Sequence, residues 1–248
     1  MDDRQIDVVQ AAVSAFEAFI KSMDKDDLDA IVVTLRRTIE SCGAPGRTVP
    51  GFNIKGSVGS MLPVIIAGLT TGNNEQREQA AYAIGDLVER TEEAAIKPYV
   101  VQFTGPLIRV ATQATAYPPG VKVAILRSLT VMLDKIPSHV KPFFPQLSRT
   151  FIKSCSDTSS LAVRNAAAKA LGSLTKSSQT RVDALITELM TSAQTSDDQA
   201  ISASLVLALA YVVVNAHSSI SIGIKESCVV LIESAFRERH DGKPRQSF

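Results

Sequence analysis

The feature that most constrains the fold of this chain is a segment that recurs at a nearly fixed interval. Residues 77–87 and 164–174 carry a basic residue, two adjacent alanines, a further alanine, an aliphatic residue, a glycine and a leucine at equivalent positions. Residues 122–132 fit the same frame, although Thr130 takes the place of the glycine. The three segments begin 45 and 42 residues apart. An interval of about 40 to 47 residues is typical of proteins built from stacked pairs of helices.

The hydrophobic pattern within these segments has the period of an α-helix. Apolar side chains at intervals of three and four residues form one stripe, which consists of Val163, Ala166, Ala167, Ala170, Leu171 and Leu174. No segment alternates apolar and polar residues with the period that a half-buried strand requires. We therefore predict an all-α fold, a HEAT-repeat α-solenoid in which antiparallel helix pairs form a curved stack.

Glycine and proline divide the chain into segments. A first helical pair is expected in 1–41, followed by a Gly/Pro-rich loop at 42–57 that we expect to be mobile. Continuous HEAT repeats are expected over 58–240, and the tail at 241–248 is expected to be frayed. The repeats are predicted at about 58–92, 93–136, 137–178, 179–217 and 218–240.

Single residues predict where helices begin, where one bends or restarts, and where two pack closely. Asn73 is expected to cap the helix that follows it, and Asp183 to belong to a capping box. Pro106 lies inside a helical pattern, so that helix is expected to bend or restart there. Gly85 and Gly172 occupy one frame position and predict close packing of helices. At position 172 we expect leucine to destabilise the fold and alanine to have a mild or stabilising effect.

Composition restricts the class of protein. The 248 residues are 45% hydrophobic, enough for a sizeable core, and 26 basic against 25 acidic residues give a net charge of +1. The three cysteines lack metal spacing, which is typical of ordinary thiols in a reducing compartment. No secretory signal is evident, and the apolar stretch 200–216 is interrupted by polar residues, so it predicts a buried helix. We expect a soluble cytoplasmic protein that does not associate with membranes.

No motif in the sequence predicts catalysis. Gly51 and Gly56 have the spacing of a phosphate-binding loop, but the Lys-Ser/Thr pair that should follow the second glycine is absent. The three histidines lack metal-site spacing, and no serine or cysteine sits in a nucleophile motif. We expect no enzymatic activity, no cofactor, no metal and no small-molecule substrate.

The charge is unevenly distributed along the chain. Residues 94–180 contain 11 basic residues and only two acidic ones. The basic side chains either form solvated helix faces or provide a docking surface for an acidic protein or an RNA backbone. Arg109 stands out, because it lies opposite the apolar stripe of its helix and has no acidic residue three or four positions away. An unpaired guanidinium suits bidentate capture of a carboxylate on another protein.

Two motifs in register carry a resemblance to a known family. They are Thr104-Gly-Pro-Leu-Ile-Arg-Val110 and Lys141-Pro-Phe-Phe-Pro-Gln-Leu-Ser-Arg-Thr-Phe151. With them, residues 49–190 resemble the C-terminal region of the general-control translational activators, large ribosome-associated HEAT-repeat proteins. Tyr117-Pro-Pro-Gly120 departs from the family pattern between two helices.

The resemblance implies a function and a partner. In that family this region binds the RWD domain of the kinase that phosphorylates the α subunit of initiation factor two, and so supports kinase activation during amino-acid starvation. Competing RWD-containing regulators can use the same surface, and the ribosome is contacted through other parts of the full-length chain. The resemblance points to Arg109 as the main partner-binding residue, and we expect Lys141, Arg149 and Arg127 to contribute more weakly at the rim.

Two other functions remain open from the sequence. The chain could be a scaffold that contacts the ribosome or RNA through its basic central surface, or an unrelated HEAT adaptor. Many phosphate contacts would give a steep dependence of affinity on salt, whereas one or two protein ion pairs would give a shallow one.

Overall fold

A computed structural model describes residues 3–44, 46–113, 116–216 and 218–241, and every regular element in these ranges is helical. This confirms the all-α prediction. The α-helices are α1 (Asp3–Ser22), α2 (Val32–Ser41), α3 (Ser57–Thr70), α4 (Asn74–Arg90), α5 (Glu93–Ile96), α6 (Val100–Thr112), α7 (Pro119–Lys135), α8 (Pro137–Val140), α9 (Phe144–Cys155), α10 (Leu161–Leu174), α11 (Val182–Thr195), α12 (Gln199–Ala216) and α13 (Ile222–Asp241). The predicted tail lies outside the described residues, apart from Asp241.

The chain divides into two compact units, residues 1–150 and 151–248. In the first unit, α3 packs against α1 and α6 to form one layer, and α4 packs against α2 and α7 to form a second layer. Contacts between α3 and α4 join the two layers. In the second unit, α12 packs against both α10 and α11, and α13 packs against α11.

Helices of the same layer approach closely at the repeated glycines. A Cβ added to Gly85 of α4 would lie 2.9 Å from Ser128 Oγ of α7. A Cβ added to Gly172 of α10 would lie 2.9 Å from Tyr211 Cβ and 3.1 Å from the Tyr211 carbonyl oxygen of α12. The prediction that glycine serves helix packing at these positions is confirmed. The expectation that alanine at 172 is mild is wrong, because even a methyl group would displace the backbone of α12.

The apolar stretch of α12 is a core helix of the second unit. Leu205, Leu209 and Val212 are buried, and they lie on the helix that packs against α10 and α11. The helix is long and apolar enough to cross a membrane by length and composition alone. The prediction of a buried helix is thus confirmed for one side only, because Leu207, Tyr211 and Val214 are exposed on the other side.

Several local expectations are corrected by the structure. The expected second helix begins as a 3-10 helix at Lys25–Ile31 before α2. Helix α6 continues through Pro106, which excludes the expected restart, while the expected bend stays a prediction. Asp183 does not cap α11; its carboxylate accepts a hydrogen bond from the backbone N–H of Ser221 at 3.2 Å. By contrast, the cap at Asn73 is confirmed, because its side chain accepts from the Gln76 N–H and the Gln76 side chain accepts from the Asn73 N–H.

The loop at 42–57, which the structure describes except for residue 45, contacts the end of α4, and its mobility stays a prediction. It contains a 3-10 helix at Pro50–Asn53. The Val49 N–H donates to the Arg90 carbonyl at 2.7 Å, and the Asn53 side chain accepts from the Glu92 N–H at 2.8 Å. Two hydrogen bonds thus hold the loop against the end of α4, which the glycine and proline content alone did not indicate.

Candidate partner-binding surface

Helix α6 positions the main predicted binding residue. Phe103, Leu107 and Val110 are buried on one side of the helix, and this fixes its rotation about its own axis. The opposite side carries Val101 and Arg109, both exposed. The amphipathic pattern of the sequence therefore places the Arg109 side chain in solvent, as predicted.

The Arg109 guanidinium has no hydrogen bond, ion pair or ring contact with any residue in the described ranges. The backbone carbonyl of Arg109 accepts a hydrogen bond from Thr112 Oγ1 at 2.8 Å. A planar cation with five free donors is available to a carboxylate of another molecule without breaking any internal contact. The residue can therefore bind a partner at no cost to the fold.

Lys141 and Arg149 are also exposed. Lys141 begins the 3-10 helix at Lys141–Phe143, between α8 and α9, and α8 packs against α6. Arg149 lies in the last part of α9 that belongs to the first unit. Neither side chain bonds to another residue within the part of the chain that the structure describes, so both cations are available to a partner.

Arg127 differs from the other three predicted residues. It lies on α7, in the layer of α4 rather than that of α6, and its guanidinium stacks over the ring of Tyr82 at 5.4 Å. Arg36 stacks over the same ring at 5.4 Å and pairs with Asp86 at 3.3 Å. The sequence does not indicate this cluster, because its four residues come from three different helices, α2, α4 and α7. Its place in the second layer separates Arg127 from the surface that carries Arg109.

The Tyr-Pro-Pro-Gly corner has a structural role within the first unit. Arg77 stacks over the Tyr117 ring at 5.0 Å, and Pro119 is the first residue of α7. A Cβ at Gly120 would collide with the Glu78 carboxylate. The departure from the family pattern is thus accommodated by contacts with α4.

The described residues contain no arrangement typical of catalysis. No group of three or more His, Cys, Asp or Glu side chains among them could hold a metal ion. Burial raises the pKa of the Cys155 thiol to about 12 and also raises the pKa of Cys228, so neither is an activated nucleophile. His139 Nε2 pairs with Glu93 Oε1 at 3.0 Å, linking the first turns of α8 and α5.

The helical layers, the glycine contacts and the recurring segment define the chain as a HEAT-repeat α-solenoid. A sequence profile described as the HEAT repeats of stalled ribosome sensor GCN1-like proteins matches residues 1–56. The eIF-2-alpha kinase activator GCN1 of Saccharomyces cerevisiae is 36% identical over 241 residues, 97% of this chain. The chain belongs to the GCN1 family of HEAT-repeat proteins.

Other similar proteins agree with this assignment. The stalled ribosome sensor GCN1 of Homo sapiens is 35% identical over 94% of the chain, and the protein ILITYHIA of Arabidopsis thaliana is 32% identical over 97%. The chain spans about 9% of the length of each of these relatives. The chain is also similar to the crystal structure of an engineered protein, with a TM-score of 0.57 and 17% sequence identity. The match covers 90% of this chain and 97% of the engineered protein. That likeness supports the fold alone.

Proposed function

We propose that this chain is a non-catalytic interaction module that binds the RWD domain of the initiation factor two alpha kinase and so supports activation of that kinase in the cytoplasm. Relatives that match nearly the whole chain are named as an activator of this kinase and as a stalled ribosome sensor. Competing RWD-containing regulators would use the same surface. In a longer chain, other parts would contact the ribosome.

The exposed and unpaired Arg109 is the observation that carries the proposal. Its guanidinium forms a bidentate pair with a carboxylate of the RWD domain, because the fork of donors matches the two carboxylate oxygens. Lys141 and Arg149 add charge at the rim, where ion pairs contribute little to affinity but speed association. Arg127, stacked on Tyr82 in the other layer, contributes least.

Titration of the chain with the kinase RWD domain tests the proposal. Arg109→Ala should weaken binding by about 2 kcal/mol, as interface hot spots do, while the melting temperature stays unchanged. Arg37→Ala is the matched control, because Arg37 is an exposed helical arginine on α2. Equal affinities of the wild type and Arg109→Ala would contradict the proposal.

The excess of basic residues in 94–180 favours a second candidate function, contact with ribosomal or other RNA. Several of these cations are already engaged within the chain. Lys135 Nζ donates to the Glu89 carbonyl at 2.5 Å, Arg164 donates to the Asp157 carbonyl at 2.8 Å, and Arg127 stacks on Tyr82. The dependence of affinity on salt separates the two functions. The slope is that of the logarithm of the binding constant against the logarithm of the salt concentration. A steep slope, which means that many counterions are released, would favour RNA, and a shallow slope would favour the RWD domain.

A further inference from the structure

A half-buried tyrosine in the second layer of the first unit carries an arginine on either neighbouring helix. Tyr82 lies on α4, which packs against both α2 and α7. The guanidinium carbons of Arg36 on α2 and Arg127 on α7 each lie 5.4 Å from the centre of the Tyr82 ring. The Tyr82 hydroxyl has no hydrogen-bond partner in the described ranges. Because no buried side-chain oxygen in those ranges lacks a partner, this hydroxyl reaches solvent.

Arg127 is the stacked arginine whose donors are unused. Arg36 pairs with Asp86 at 3.3 Å and with Glu40 at 2.9 Å. Arg77, which stacks over another tyrosine, donates to a backbone carbonyl at 2.9 Å. Arg127 is exposed, and within the part of the chain that the structure describes it donates no hydrogen bond and forms no ion pair. Stacking holds the plane of its guanidinium in place and leaves the N–H donors in that plane available.

The surroundings of Arg127 indicate which anion fits. Val123 and Val131 are half-buried and lie on α7 one turn on either side of Arg127. Asp134 is exposed and lies about 10 Å further along the same side of that helix. On α2, Glu40 is also exposed. An RNA strand would bring several phosphates close to these carboxylates, whereas a single carboxylate set among apolar groups avoids that repulsion.

We infer that Arg127 and Tyr82 form a docking site for an acidic side chain of a protein, flanked there by aliphatic residues. The carboxylate accepts hydrogen bonds from the Arg127 fork and from the Tyr82 hydroxyl, and the aliphatic neighbours contact Val123 and Val131. Because the ring already holds the guanidinium, less side-chain entropy is lost on binding than for an unstacked arginine. The site lies in the other layer from Arg109, so it is separate from the surface proposed for the RWD domain.

A pair of blocked tripeptides, Leu-Glu-Leu and Leu-Gln-Leu, tests the site in the intact chain. Their binding is followed by NMR through the backbone amide signals of α4 and α7. The Glu peptide should bind at least about threefold more tightly than the Gln peptide, because only its carboxylate pairs with the guanidinium. Arg127→Ala should remove this preference. Tyr82→Phe, which keeps the ring and removes the hydroxyl, should reduce it.

Arg37→Ala is the matched control, since Arg37 is an exposed arginine on α2 without a ring contact. A preference for the Glu peptide that Arg37→Ala retains and Arg127→Ala loses, at unchanged melting temperatures, would support the site. If Arg127→Ala lowers the melting temperature, Arg127→Lys gives the same comparison, because lysine keeps the charge and lacks the fork.

Two results would overturn the inference. One is equal affinity of the unaltered chain for the Glu and Gln peptides, or a preference that survives the substitutions of Arg127. The other is tighter binding of a diribonucleotide than of the Glu peptide, which would assign the site to a phosphate of RNA instead of a protein carboxylate.

Discussion

At the scale of single residues, the atoms that face each glycine decide what a substitution does. Gly172 lies against the Cβ and the carbonyl oxygen of Tyr211, and neither atom can rotate away. Gly223 has open space around it. The two glycines lie in helices of the same unit, so the same exchange at both positions separates the effect of packing from that of helix propensity.

Gly172→Ala should lower the stability of the second unit by roughly 1–3 kcal/mol, because the methyl group must push α12 away from α10. Gly223→Ala should leave it unchanged or raise it by about 0.5–1 kcal/mol through helix propensity. Thermal unfolding followed by circular dichroism compares the two variants. A melting temperature for Gly172→Ala at or above that of the wild type would show that the helices do not touch there.

The cysteines offer a second residue-scale prediction. Because burial raises the pKa of Cys155 to about 12, its reactive thiolate is scarce in the folded state. At pH 8 a maleimide should label the half-exposed Cys42 in the native protein, but Cys155 only in urea. The pKa of Cys155 is higher in the folded than in the unfolded chain, so the unfolded thiol ionises first. The free energy of unfolding should therefore fall as the pH rises from about 9 toward 12. Equal native labelling rates of Cys42 and Cys155 would contradict this burial.

At the scale of elements, a buried arginine joins the ends of two helices in the first unit. Arg90 is 4% exposed and donates to the carbonyls of Glu40 and Cys42, each at 3.2 Å, at the end of α2. It also pairs with the buried Asp86 at 3.5 Å, while its own carbonyl accepts from Val49. One side chain thus caps α2 and pairs with a carboxylate, and its backbone holds the loop at 42–57.

Arg90→Met should destabilise the first unit by about 1–3 kcal/mol, because two buried carbonyls lose their donor and Asp86 keeps only Arg36 as its partner. Arg37→Met, at an exposed position of α2, should change stability by no more than about 0.5 kcal/mol. Urea unfolding of both variants gives the comparison. Similar urea midpoints for Arg90→Met and Arg37→Met would mean that the buried network contributes nothing to stability.

Sequence periodicity predicts the helices because it reflects which side of each helix is buried. It predicts less well where a contact joins residues far apart in the chain. Asp183 has the composition of a helix cap, yet its carboxylate accepts from Ser221, which lies 38 positions away. Pro106 predicts a bend or a restart, but α6 does not restart there, and the buried Phe103 and Leu107 hold the helix in the core on both sides of the proline.

The candidate site was predictable in part for the same reason. The exposure of Arg109 follows from the position of the apolar stripe, which lies within one helix. The stacking of Arg127 on Tyr82 is not predictable in this way, since the two residues lie 45 positions apart on different helices.

At the scale of the whole molecule, the proposed recognition surface belongs to the first unit. The first unit carries all four predicted cations, and Arg109, Lys141 and Arg149 are exposed without internal partners in the described ranges. These side chains stand on packed helices, so the conformational entropy lost on binding is mainly that of ordering the long side chains themselves. Binding by such a surface should be set by a few side chains rather than by a change in fold.

A charge-reversal cycle with the kinase RWD domain tests the central claim most directly. Arg109→Glu should bind the wild-type domain far more weakly than the unaltered chain does. At least one Asp→Arg or Glu→Arg variant of the domain should restore binding to Arg109→Glu, with a coupling energy of about 1.5 kcal/mol or more. We predict that this pair of variants binds. Equal dissociation constants of Arg109→Glu and the wild type for the unaltered RWD domain would contradict it.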